Sequence, residues 1–148
     1  MGYRDSRRLG KFYWEQVTEI KRLLERYVKE DSAIDVDKYL LLCEQLGQEP
    51  DPTKMPLDSA DFPAEVQVAF FMFSMLSDNW EGMSGTYMGK DWSSIDYMFK
   101  LNKIENPSII FYFMKLYENI LVDYRAKEAD KKRKAEERKA KKEKAFKE

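Results

Sequence analysis

From Ser6 onward, apolar residues recur at helical spacing. Leu9, Tyr13, Val17, Ile20, Leu24, Tyr27 and Val28 fall on one face, with Lys21, Arg22, Glu25 and Arg26 elsewhere. The pattern predicts a first helix capped by Ser6. Ile34-Asp35 reads as the staple and cap of a second helix, which would bury Leu40 or Leu42, Cys43 and Leu46 and end at Gly47. Pro50, Pro52 and Pro56 mark residues 48–62 as a loop. Pro63 restarts the chain as helix, with Asp61 as the expected cap. Val66, Val68, Ala69, Phe70, Phe71, Met72, Phe73, Met75 and Leu76 then cover nearly the whole circumference. A helix apolar all round either lies at the centre of a fold or turns its second face to a partner.

Asp78 to Trp92 reads as a second loop, with Gly82, Gly85 and Gly89 interleaved with Trp80, Met83, Tyr87, Met88 and Trp92. Ser93 or Asp91 is placed to cap a short helix carrying Ile95, Met98, Phe99 and Ile104. Asn106-Pro107 opens the last segment, apolar from Ile109 to Tyr124 and then Lys, Arg, Glu and Ala through to Glu148. No Gly or Pro follows Pro107, so one helix should begin in the core and leave it as a charged arm. No run alternates with period two over strand length, and no Asn-Gly or Asp-Gly turn appears. The expectation is an all-α fold of about five helices: a globular domain over 1–125 and a charged arm, helical or partly disordered, over 126–148. Phe70, Phe73, Met75, Ile110, Phe113, Tyr117 and Leu121 are the expected core, since their segments carry the densest apolar periodicity.

Charge sharpens this picture. Residues 1–29 sum to +4, residues 30–97 to −11, residues 98–125 to +1 and residues 126–148 to +5, giving the net −1. A basic start, an acidic middle and a basic end can satisfy one another within a chain or between copies, and both suit a protein that assembles. A homo-oligomer is consistent with the pattern.

The single Cys43 and the absence of His remove whole classes of chemistry. One thiol makes no intramolecular disulfide, and zinc sites of Cys and His, Ser-His-Asp and Cys-His catalysis all lack their residues. No apolar run approaches the length of a membrane span, so the chain reads as cytoplasmic. No catalytic residue, metal ligand or cofactor is expected.

The stretch Trp80–Trp92 superficially looks like a phosphate-binding loop, but its spacing fails. The position for the first Gly is Ser84, Asp91 stands where a magnesium-binding hydroxyl belongs, and no strand is expected before it. Asp35-Val36-Asp37 lacks the third ligand and the Gly of a calcium loop; Asp35 and Asp61 are better explained as helix caps. The glycine-rich loop is therefore either scaffolding or a docking patch, since Trp, Tyr and Met dominate interface cores. Trp80, next to the central helix, should be structural. Tyr87, between Gly85 and Gly89, is the better anchor, with Met88 and Trp92 beside it. On the arm, Glu128–Lys132, Asp130–Lys134, Glu137–Lys141 and Glu143–Lys147 are i,i+4 pairs in the favourable order. Lys131, Lys132, Arg133 and Lys134 form its basic contact candidates. Six acids and a single aromatic, Phe146, argue for solvent or protein contact over nucleic acid.

The central block, Leu46-Gly47-Gln48-Glu49-Pro50-Asp51-Pro52 through Asp61-Phe62-Pro63, Val66-Gln67 and Asp78–Asp91, resembles small proteins of T4-like tailed phages, cyanophages among them, over roughly residues 39–125. The resemblance implies virion morphogenesis: a tail-assembly chaperone, or a tail or baseplate component. It transfers no functional residue. The expected function is thus a non-catalytic protein–protein assembly protein with a phage tail component as a candidate partner, in host cytoplasm or virion. The alternative is a nucleic-acid-associated regulator using the basic ends.

Overall fold

In the computed structural model, residues 8–30 and 35–147 are described. A short antiparallel hairpin, β1 (Arg8–Leu9) and β2 (Phe12–Tyr13), leads into α1 (Trp14–Glu30). Then follow α2 (Val36–Gln45), a 3-10 turn (Ser59–Asp61), α3 (Ala64–Ser74), a second hairpin of β3 (Asp78–Trp80) and β4 (Tyr87–Lys90), α4 (Ile95–Leu101) and α5 (Pro107–Lys147). The fold is mostly helical, with five α-helices among the described residues. The all-α expectation is thus roughly right, and the two short hairpins are what it lacked. Among the described residues, no helix is long and apolar enough to cross a membrane.

The first helix begins later than its periodicity suggested. Gly10 turns the chain at φ +58°, and a Cβ there would run into the Ile109 side chain, so the turn presses directly on α5. Tyr13 N–H is then taken by Gln16 Oε1 at 2.9 Å, which closes the start of α1 as a side-chain bond from the third helical residue. Ser6 lies outside the described residues, as does Ile34. Leu9 sits in β1 rather than on the helix face, and Tyr13 is exposed.

Val17, Ile20, Leu24 and Val28 are the buried stripe of α1. Val17, Ile20 and Leu24 meet Val66, Ala69, Met72 and Phe73 of α3 and Ile110, Phe113 and Met114 of α5 in one core, completed by Phe12, Phe62 and Leu76. Phe113, Met114, Met72 and Leu24 are essentially fully enclosed. Aromatic edges tie the layers together: Phe12 meets Phe113 at 5.4 Å, Phe70 meets Tyr117 at 5.1 Å, and Phe73 meets Tyr117 at 4.8 Å. Of the expected core, Phe73, Ile110 and Phe113 are buried, and Phe70, Tyr117 and Leu121 are half-buried against it. Met75 is not: it caps α3 and is 36% exposed.

α3 packs on α5 through one face only. Phe71, at 57% exposure, joins Met75 on the outside, so this helix keeps an uncovered apolar stripe rather than being enclosed all round. Its start also differs from expectation. Asp61 does not cap it; Asp58 and Asp61 form a reciprocal capping box around the 3-10 turn, with Asp61 Oδ2 accepting Asp58 N–H at 2.9 Å. The Pro63 carbonyl receives Val66 and Gln67 N–H instead.

α2 stands at the edge of the fold. Asp35 caps it by accepting Lys38 N–H at 2.8 Å, and Cys43 is buried as expected. The expected burial of Leu40 or Leu42 and of Leu46 does not occur. They are exposed, with Leu41, because the Pro-rich loop that follows packs on only one side of the helix and Tyr39 is the residue that ties it there through the Asp51 backbone. α4 carries Ile95, Met98 and Phe99 half-buried. It has no side-chain cap; Asp91 Oδ1 holds Ser93 N–H just ahead of it. At its end Lys103 takes φ +53° while Ile104 N–H reaches back to Phe99 O, and Ile104 packs inward beyond the helix.

Candidate partner-binding surface

The Trp80–Trp92 stretch is a hairpin fastened to α5. Tyr87 and Gly89 of β4 point inward, and Met88 points out at 60% exposure, as strand alternation requires. Gly89, at φ +95°, is the contact point with α5: any Cβ there would fall on the Glu118 carboxylate. Glu118, 8% exposed, accepts Lys90 N–H at 2.8 Å and Trp92 Nε1–H at 2.6 Å, and Lys115 Nζ lies 3.2 Å from its other oxygen. One carboxylate thus closes two donors that the hairpin brings to the helix.

Two turns further along α5, Arg125 places its guanidinium 4.4 Å from the Tyr87 ring centre and 5.8 Å from that of Trp80. Tyr87 is 3% exposed, and its hydroxyl donates to Asp78 Oδ1 at 3.1 Å. Burial, with the Asp78 carboxylate beside it, pushes the phenol well above its ordinary range. Lys90 bridges the base of the hairpin, donating to Asp78 at 2.9 Å and to the Leu76 carbonyl at 3.0 Å, with its ammonium 4.7 Å from the Phe73 ring. The Lys90 hydrogen bond holds the Asp78 carboxyl below the usual carboxylate range, joined by that of Tyr87.

The loop residues therefore exchange the roles expected of them. Tyr87 is no exposed anchor: it is a buried strut that binds β3, β4 and Arg125 together. Trp92 is half-buried, its indole N–H engaged by Glu118 and its face covered by Lys115 at 4.2 Å. Trp80, expected to be structural, is 56% exposed. Met83 at the tip is 98% exposed, although the tip itself is tightly made: the Glu81 carboxylate accepts Met83 N–H, Ser84 N–H and the Ser84 hydroxyl, and Glu81 N–H reaches Thr86 O at 2.8 Å. The exposure of Met83 follows from the tip's own hydrogen bonding, which the glycine spacing did not reveal.

α5 runs 41 residues without interruption, about 60 Å at 1.5 Å per residue. Its root is held by Arg125 against the hairpin, while Lys127 pairs with Asp123 one turn back on the same helix, on the side facing α1. There Glu25, Lys29, Ile120, Asp123, Tyr124 and Lys127 line a cavity of about 310 Å³. The Asp123 hydrogen bond holds the Lys127 ammonium above its usual range. From Ala126 to Lys147 every residue but Asp130 is exposed. Lys131, Lys132, Arg133 and Lys134 all lie on this solvated length. Asp130 meets both Arg133, at 2.6 Å, and Lys134, at 3.1 Å, while Glu128 pairs with Lys131 rather than with Lys132. Of the four expected i,i+4 pairs the structure shows Asp130–Lys134; Glu128 takes its i,i+3 neighbour, and among the described residues Glu137–Lys141 and Glu143–Lys147 do not form. No family model, curated protein or solved structure matches this chain.

Proposed function

We propose that this chain is a non-catalytic assembly protein that acts by protein contact, with the basic C-terminal length of α5 as its principal contact element. The observation that carries this reading is the arm itself: a helix fixed at its root by Arg125 against Tyr87 and Trp80 and exposed beyond it. A lever of this kind adds little to the stability of the core, and its value lies in what it reaches. The exposed Phe71, Met75, Trp80 and Met83 add apolar area of the sort that partners cover. The resemblance of residues 39–125 to proteins of T4-like tailed phages directs the proposal toward virion morphogenesis, as a tail-assembly chaperone or a tail or baseplate factor, in host cytoplasm or virion.

The exposed run Lys131–Lys134 favours one second reading, a nucleic-acid-associated regulator. A salt titration of binding to mixed-sequence duplex and single-stranded nucleic acid separates the two. The assembly reading expects weak binding with a shallow salt dependence, because acids at Glu128, Asp130, Glu136, Glu137 and Glu143 dilute the arm's field. Tight binding with a steep negative slope, abolished by removing residues 127–148, would establish the regulator instead.

A further inference from the structure

Two exposed surfaces of opposite charge lie on the same chain. On α2, Asp37, Leu40, Leu41 and Glu44 follow the i, i+3, i+4, i+7 spacing that puts side chains on one face. All four are exposed, the leucines by 39% and 54%. The second surface is the outer end of the β3–β4 hairpin, where Trp80 and Met83 are exposed and Arg125 beside Trp80 begins the basic length of α5. The hydrogen bonds of Glu81 fix the tip before any contact is made, so little ordering is left for binding.

We propose that the acidic leucine face of α2 docks on the hairpin end and basic arm of a second copy of this chain. Charge selects this pairing over its alternatives. The α2 face carries two acids, Asp37 and Glu44, and no base among its four residues, and residues 126–148 carry +5, so α2 against α2 and arm against arm bring like charges together, whereas α2 against arm brings opposite ones. The two surfaces differ, so the contact is head-to-tail: each joined copy still presents one surface of each kind, and association continues to a ring or a filament. The inference rests on the assembly reading and names the chain itself as a partner.

The test is sedimentation velocity of the full chain over rising concentration, at low and high salt. Two variants accompany it, Leu41→Lys with Glu44→Lys on α2, and Met83→Glu with Lys132→Glu on the hairpin and arm. All four positions are exposed, and matching thermal melts confirm folding; Leu40→Lys substitutes for the α2 pair if that variant misfolds. The wild-type chain should form species larger than a dimer that dissociate at high salt. Each variant alone should be monomeric, and an equimolar mixture should give a 1:1 dimer through the one intact pair of surfaces. A wild-type chain monomeric throughout, a variant that self-associates like wild type, or a mixture that stays monomeric would each overturn the proposal. A monomeric wild type that still holds a foreign protein through its arm overturns this contact alone; loss of both overturns the assembly reading with it.

Discussion

Replacing Glu118 by Ala tests how the hairpin is fixed to α5. The substitution leaves Lys90 N–H and Trp92 Nε1–H without their acceptor. An unsatisfied buried donor costs about 1–3 kcal/mol, and both donors are only partly buried, so water entering the vacated space lowers the sum to about 2–4 kcal/mol. Glu118→Gln keeps one oxygen for both donors and loses the charge assistance, which should cost about 1 kcal/mol. Lys115 then loses its ion pair, a small effect because that lysine is 40% exposed. Urea unfolding followed by tryptophan fluorescence measures both, with an unchanged denaturant slope as the check that only stability moved. Gly89→Ala should be destabilising through its φ of +95° and its contact with Glu118. Part of that cost should vanish in the Glu118→Ala background, a coupling that a double-mutant cycle reads directly. An Ala variant within about 0.5 kcal/mol of wild type, the scatter of ordinary surface changes, would refute this account of the hairpin's attachment.

Lys103 holds the left-handed conformation that closes α4, so Lys103→Gly should raise stability by about 0.5–1 kcal/mol, as thermal melts will show; a loss would mean that its side chain contributes to the fold. Tyr87 has its pKa raised in the folded state, so its contribution is fully present below the ordinary tyrosine value of about 10 and is lost as pH rises through the folded value. An absorbance titration should show one phenol ionising only with alkaline unfolding, an event absent in Tyr87→Phe; complete titration of every tyrosine in the folded chain would contradict it. Deleting residues 127–148 should leave cooperative unfolding and Tm nearly unchanged, because Lys127–Asp123 is an exposed pair and the rest of the segment is solvated. A broad or strongly lowered melt would assign the arm to the core.

Much of the helical frame is legible in the residues. The stripe Val17-Ile20-Leu24-Val28, the Asp35 cap and the uninterrupted helix from Pro107 follow from periodicity, capping and the absence of breakers. The hairpins were not legible, since strands of two to four residues are too short to show alternation, and their turns lack the Asn-Gly or Asp-Gly signature. Gly10 was the one available signal against starting α1 at Ser6. Burial was harder still. Apolar spacing cannot tell which leucines of α2 find a neighbour, and Leu40, Leu41 and Leu42 find little because the Pro-rich loop covers one side only. The reversed burial of Tyr87 and Trp80 is not legible in the sequence because the register of a bulged hairpin decides which ring is enclosed, and the groups that hold that hairpin, Arg125 and Glu118, are far away in sequence.

The central claim, that the exposed length of α5 is an instrument of protein contact, is met most directly by comparative capture. The full chain and the chain lacking 127–148 are immobilised in equal amount and exposed to lysate of the source cells, with and without nuclease treatment. Bound proteins are then quantified by mass spectrometry. The account predicts at least one protein retained in near-stoichiometric amount by the full chain and lost from the truncated one. Identical retention by both chains, or retention by the full chain that disappears with nuclease treatment, would contradict it.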